Sequence, residues 1–195
     1  MHDESALQKA FEHFDAANAQ DPNTLISDGT EQAKELVFAK RLTDAVLTLD
    51  PHASEPLRLA SRCQHICRWE VPRNTQPMGR AGYLKWRAGL KKFHAEKSAA
   101  ILRDIGYPES TIERVQALNQ KQNLKTDPDC QTLEDALCLV FLKHQFDDLI
   151  ENTEEEKMQR IVQKTWAKMS ARGQEAAAQL DYSELAAGVL DQALS

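Results

Sequence analysis

Apolar residues recur every three or four positions along most of this chain. Ala6, Leu7, Ala10, Phe11, Phe14 and Ala17 make one face of a helix over residues 5–19. Asp21-Pro22-Asn23 and Ser27-Asp28-Gly29 then predict a loop. Thr30 is placed to cap a second helix, with Leu36, Val37, Ala39, Leu42, Val46 and Leu49 facing inward. Asp50-Pro51 ends it. A third helix is predicted over about 55–69, where His65 interrupts the apolar face made by Leu57, Leu59, Ala60, Cys63 and Cys67. Residues 70–79 hold Pro72 and Pro77 and read as a loop. A long helix follows from Arg80 to Ile105, stopped by Gly106-Tyr107-Pro108, and another covers about 109–122.

Thr132-Leu133-Glu134-Asp135 has nearly the form of a capping box, so a helix is predicted to open there. It is apolar almost all round through Leu142, which marks a central buried element. An amphipathic helix over 154–169 and short helices near 172–180 and 183–194 complete the pattern. No segment alternates as a strand should, no repeat appears and no linker divides the chain. The prediction is all-α: one domain over residues 1–195, a bundle of about seven to nine helices. Its core spans about 30–150, and the helices of 154–195 pack on it.

Composition narrows the function classes. Of 195 residues 42% are hydrophobic and 28% charged, as in an ordinary globular protein. The net charge of -6 removes a global basic field, which disfavours nucleic acid as a partner without excluding a local patch. No apolar run reaches the roughly 20 residues of a membrane span. Met1-His2-Asp3-Glu4-Ser5 is polar, with no apolar leader, so the expected location is the cytoplasm. Cys63, Cys67, Cys130 and Cys138 form no C-x-x-C pair and read as buried, reduced thiols. Nothing in the pattern sets an oligomeric state.

Two constellations carry candidate chemistry. Glu35, His65, His94 and Asp135 fall on four separate predicted helices. Two imidazoles and two carboxylates suit a first-row metal, so one divalent transition metal is the cofactor this set implies. Asp135 or Glu134 also reads as a capping group. Without a metal, His65 or His94 is a candidate general base, oriented by Glu35 or Glu134. The second constellation is Arg68, Trp69, Arg73, Arg80, Tyr83, Trp86 and Arg87, with Lys125 and Gln131 near the same mouth. Arginines with aromatic walls suit a phosphate or carboxylate ligand that carries a planar group. The competing reading is a solvated basic helix face.

The stretch Leu59-Ala-Ser-Arg-Cys-Gln-His65, the segment Phe93-His94 to Leu102, Thr111 to Leu118 and Leu133-Glu-Asp135 together resemble the HD-domain superfamily of metal-dependent hydrolases. That resemblance implies an all-helical core and phosphoester hydrolysis. The chain departs from the pattern. Glu35 stands where the first His belongs, Ile66 replaces the Asp of the His-Asp doublet, and the later His has become Asn119, Gln120 or Lys121. A closer resemblance runs along nearly the whole chain, to the family called domain of unknown function 4202. It rests on Leu7 to Asn18 with Asp21-Pro-Asn23, Gln64-His-Ile-Cys-Arg-Trp69 with Pro72-Arg73, Pro77 to Arg87, Phe93-His-Ala95 and Gln131-Thr-Leu-Glu-Asp135.

Three functions are thus expected in order. The first is a metal-dependent, phosphohydrolase-like enzyme acting on an anionic small molecule or nucleotide. The second is an inactive ligand-binding or regulatory module that keeps the pocket. The third is an RNA- or protein-binding surface built on the Arg/Trp patch, which the overall acidity argues against.

Overall fold

A computed structural model describes residues 4–195. Met1, His2 and Asp3 of the expected polar start lie outside the described residues. Among the described residues the chain forms ten α-helices and one two-stranded hairpin. The helices are α1 (Glu4–Asn18), α2 (Lys34–Leu49), α3 (Glu55–Cys63), α4 (Arg80–Ile105), α5 (Glu109–Asn119), α6 (Pro128–His144), α7 (Phe146–Glu151), α8 (Glu155–Trp166), α9 (Ala171–Ala178) and α10 (Glu184–Leu194). The all-α class holds; the helix number exceeds the seven to nine expected.

Helix α6 organises the interior. Its Leu133, Ala136 and Val140 join a core made by α1 to α5, including Phe14, Leu42, Leu57, Leu102 and Leu118. Its Cys138, Leu139 and Leu142 join a second cluster with Phe146, Met158, Val162, Ala177 and Leu190. The same helix thereby ties the C-terminal helices to the rest. All four cysteines are free and buried. Among the described residues no helix is long and apolar enough to cross a membrane.

Several boundaries differ from the periodicity, each for a local reason. Asp28-Gly29 is a hairpin turn, with φ of 52° and 74°, joining β1 (Thr24–Ser27) to β2 (Thr30–Ala33). Thr30 is therefore a strand residue. The amide of Glu35 at the start of α2 is instead met by Asp21, whose Oδ2 accepts it at 3.1 Å. Helix α6 starts at Pro128, four residues before Thr132, because Asp127 caps it by accepting from the amides of Asp129 and Cys130. Glu134 and Asp135 thus lie inside the helix and cap nothing at its first turn.

The third helix stops at Cys63, short of the expected residue 69. Residues 64–67 turn away, and Cys67 takes φ 50°. The buried side chain of Asn18 holds that strained residue by accepting its amide at 3.1 Å. His65 consequently stands on a turn, not inside a helix, and Ile66 points into the core.

Candidate functional site

The turn after α3 delivers Gln64, His65 and Arg68 to one wall of a cavity of about 240 Å³. One stripe of α4 supplies the opposite wall: Arg87, Lys91 and His94 follow at intervals of four and three, so they share a face. Lys121 comes from the turn after α5, where its φ is 57°, and Glu134 and Lys168 close the far side. Five cationic side chains thus face one carboxylate, Glu134, in this lining. Lys121 pairs with Glu134, and Lys168 stands 3.8 Å from it. Among the described residues no carboxylate forms an ion pair with Arg68, Arg87 or Lys91. The crowding is felt: burial, then the neighbouring Lys121 and Arg87, hold the Lys91 ammonium below its ordinary range.

The imidazoles are neutral. Burial pushes His94 down to about 3, helped by His65. His65 is held well below its ordinary value by burial and then by Arg68, Lys121 and Arg87. Its ring stacks on Phe38, with centroids 4.1 Å apart and planes at 9°, and lies 5.8 Å from the ring of His94. His94 Nδ1 is 2.9 Å from the carbonyl oxygen of Ile66. A carbonyl only accepts, so Nδ1 carries the proton and Nε2 a lone pair. That lone pair is buried and has no partner.

Glu35 lies behind this wall. Its Oε2 is 3.6 Å from His65 Nδ1, and its side chain is 10% exposed. Burial raises its carboxyl to about 7, with Arg68 opposing the rise and Asp21 adding to it. Glu35 also lines a second cavity of about 580 Å³, which shares Phe38, His65 and Arg68 with the first.

The four expected metal ligands do not converge. Glu35, His65 and His94 come together. Asp135 is turned to α9: it accepts from the Ser170 amide at 2.8 Å, from the Ser170 hydroxyl and from Gln131 Nε2 at 2.9 Å. Among the described residues no group of three His, Cys, Asp or Glu is spaced to hold a metal ion. The donor set does not fit a metal centre as it stands.

The Arg and aromatic set divides in a similar way. Arg68 and Arg87 line the cavity. Trp86 supports Arg68, whose guanidinium carbon lies 4.9 Å above its ring, while its own Nε1 donates to the Val71 carbonyl. Tyr83 accepts from Arg87 at 3.2 Å. Arg73 is spent on the loop, donating to the carbonyls of Gln76, Pro77 and Gly79. Trp69 packs on the main core, and Gln131 donates to Asp135 and to the Lys168 carbonyl. Arg80 and Lys125 are exposed and outside the lining. Gln64, Lys91, Lys121 and Lys168 join the lining without belonging to either constellation read from the sequence. The spacing of Arg87, Lys91 and His94 was a usable signal; the other three depend on turns that bring distant segments together.

Fold and site define an all-helical protein with a cation-lined cavity beside a buried glutamate and its half-buried histidine partner. The model of the family described as domain of unknown function (DUF4202) matches residues 8–190, and the chain belongs to that family. No curated protein and no solved structure gives a match to it.

Proposed function

We propose that this protein binds a phosphate-bearing small molecule in the cavity between the α3 turn, α4 and α6. The observation that carries the reading is the lining of five cations against one carboxylate, with both histidines neutral. Such a cluster is self-repelling when empty, and a dianion removes that repulsion. Guanidinium and ammonium groups donating from opposite walls match the several acceptor oxygens of a phosphate better than the two of a carboxylate.

Thermal unfolding with added inorganic phosphate, pyrophosphate and phosphorylated metabolites tests it. A ligand at about a hundred times its Kd stabilises the native state by about 2.7 kcal/mol. For a chain of this size that raises Tm by about 5–10 °C. The shift should vanish in Arg87→Met with Lys91→Met and persist in Arg80→Met. No shift with any anion refutes the proposal.

The Glu35–His65 contact favours a second reading, an acid–base enzyme acting on the bound phosphoester, as the HD resemblance also implies. A carboxyl that titrates near neutrality and an imidazole that can pass its proton are the parts such chemistry needs. Turnover of p-nitrophenyl phosphate that disappears in Glu35→Gln, with the phosphate-induced Tm shift retained, would support it. Absence of turnover leaves the binding module.

A further inference from the structure

Gln64 and His94 give the cavity a second chemical character. Both are buried, at 4% and 2% exposure, and both line it. Gln64 Nε2 donates to the Asn119 carbonyl, which fixes the amide orientation and leaves Oε1 as an acceptor without a partner. His94 Nε2 is likewise an unpartnered acceptor, because Nδ1 is bound to Ile66. Buried acceptors left unsatisfied are costly and uncommon, so two on the facing walls of one cavity mark a place where a donor arrives from outside the chain. The cations supply donors to an anion but nothing to these two atoms. A fully deprotonated anion brings no donor at all.

Resting on the anion-binding reading, we infer that the ligand is a small phosphorylated polyol, of sugar-phosphate size. Its phosphate meets Arg68, Arg87, Lys91 and Lys121, and its hydroxyls donate to Gln64 Oε1 and His94 Nε2. The volume agrees. At about 240 Å³ the cavity is smaller than the roughly 300–1,000 Å³ that seats drug-sized ligands. It has room for a phosphate and a short hydroxylated chain. Neutral His94 is required here, since a protonated ring would donate where the ligand donates.

Titration calorimetry on the wild-type chain with methyl phosphate, glycerol 1-phosphate, ribose 5-phosphate and adenosine 5′-monophosphate decides the matter. Ribose 5-phosphate should bind at least about tenfold tighter than methyl phosphate, the value of one or two satisfied buried acceptors. Glycerol 1-phosphate should fall between them. In Gln64→Met the ratio between ribose 5-phosphate and methyl phosphate should drop toward one. Equal affinity for methyl phosphate and ribose 5-phosphate in the wild type overturns the inference and leaves phosphate binding intact. Adenosine 5′-monophosphate binding tenfold tighter than ribose 5-phosphate also overturns it, because the ligand would then extend into the 580 Å³ cavity next door. Binding of none of the four removes both this inference and the anion-binding reading.

Discussion

Replacing Glu35 by Gln should stabilise the protein at alkaline pH and change it little in acid. The carboxyl titrates at about 7 in the fold against an ordinary 4.5. Raising a carboxyl pKa means that the folded state prefers the protonated form. Below about 4.5 both states hold the proton, and burial of Glu35 carries no electrostatic penalty. As pH rises through 4.5 toward 7 the unfolded chain ionises first, so stability falls across that window and levels off above it. A displacement of about 2.5 units corresponds to about 3 kcal/mol once both states are ionised. Part of that is already lost at pH 5, so between about pH 5 and pH 8.5 the wild type should lose about 2.5 kcal/mol through this group. Glu35→Gln removes the titration. The histidines are common to both proteins, and their contributions cancel in the comparison to first order. Urea unfolding of both proteins at the two pH values gives the number. A stability difference between variant and wild type that is the same at both pH values refutes the buried-carboxyl argument.

Two further substitutions test the scaffold. Asp135→Ala removes a fully buried acceptor shared by the Ser170 amide, the Ser170 hydroxyl and Gln131, and should cost about 2–4 kcal/mol in urea unfolding; a cost below 1 kcal/mol would mean that the carboxylate does not fasten α9. Gly82→Ala would put a methyl carbon 1.9 Å from the Pro77 carbonyl oxygen. The loop over residues 76–79 must then shift, which should lower Tm and alter the fluorescence of nearby Trp86, while an unchanged spectrum and Tm would refute the close packing.

Much of the fold is open to the apolar periodicity, because α1, α2 and α6 bury faces along their lengths and α4 does so from Leu90 onward. What escaped it was decided by contacts between distant segments. Helix α3 ends early because Asn18 stabilises a left-handed Cys67, and nothing within residues 55–69 announces that. The start of α6 differs for the opposite reason: Asp127-Pro128 is a strong cap-and-first-turn signal that overrides the capping-box form at Thr132. In the site, His65 and His94 were visible as polar interruptions of apolar stretches. Asp135 looked the same by pattern, yet its interruption serves Ser170. Buried structural and functional carboxylates share one sequence signature, and only partners tell them apart. Lys121 and Lys168 were hidden because each enters the cavity from a segment whose path no periodicity describes.

Arg68 links the carboxyl and the cavity. It lines the cation-rich cavity, and it is also the charge that most strongly opposes the rise of the Glu35 carboxyl. On the anion-binding reading, ionised Glu35 competes with the anion for the field of that guanidinium, and protonation of Glu35 removes the competition. Asp21, His65, His94 and Lys34 also surround the carboxyl, but only Arg68 and the two rings are shared with the cation-lined cavity. An anion there also offsets the charges of Arg68, Lys121 and Arg87 that depress His65, so it raises the proton affinity of that ring. Both effects have one sign: the complex holds more protons than the free protein, and anion affinity must rise as pH falls. Sulfate is the proper probe, since it stays a dianion where a phosphoester titrates near pH 6 and would obscure the effect. Sulfate should bind several-fold tighter at about pH 6 than at about pH 8, with a midpoint near 7 set by Glu35. In Glu35→Gln the step at 7 should disappear, leaving only the shallow rise from His65 at lower pH. A flat wild-type profile, or one that Glu35→Gln leaves unchanged, would show that Arg68 does not couple the two.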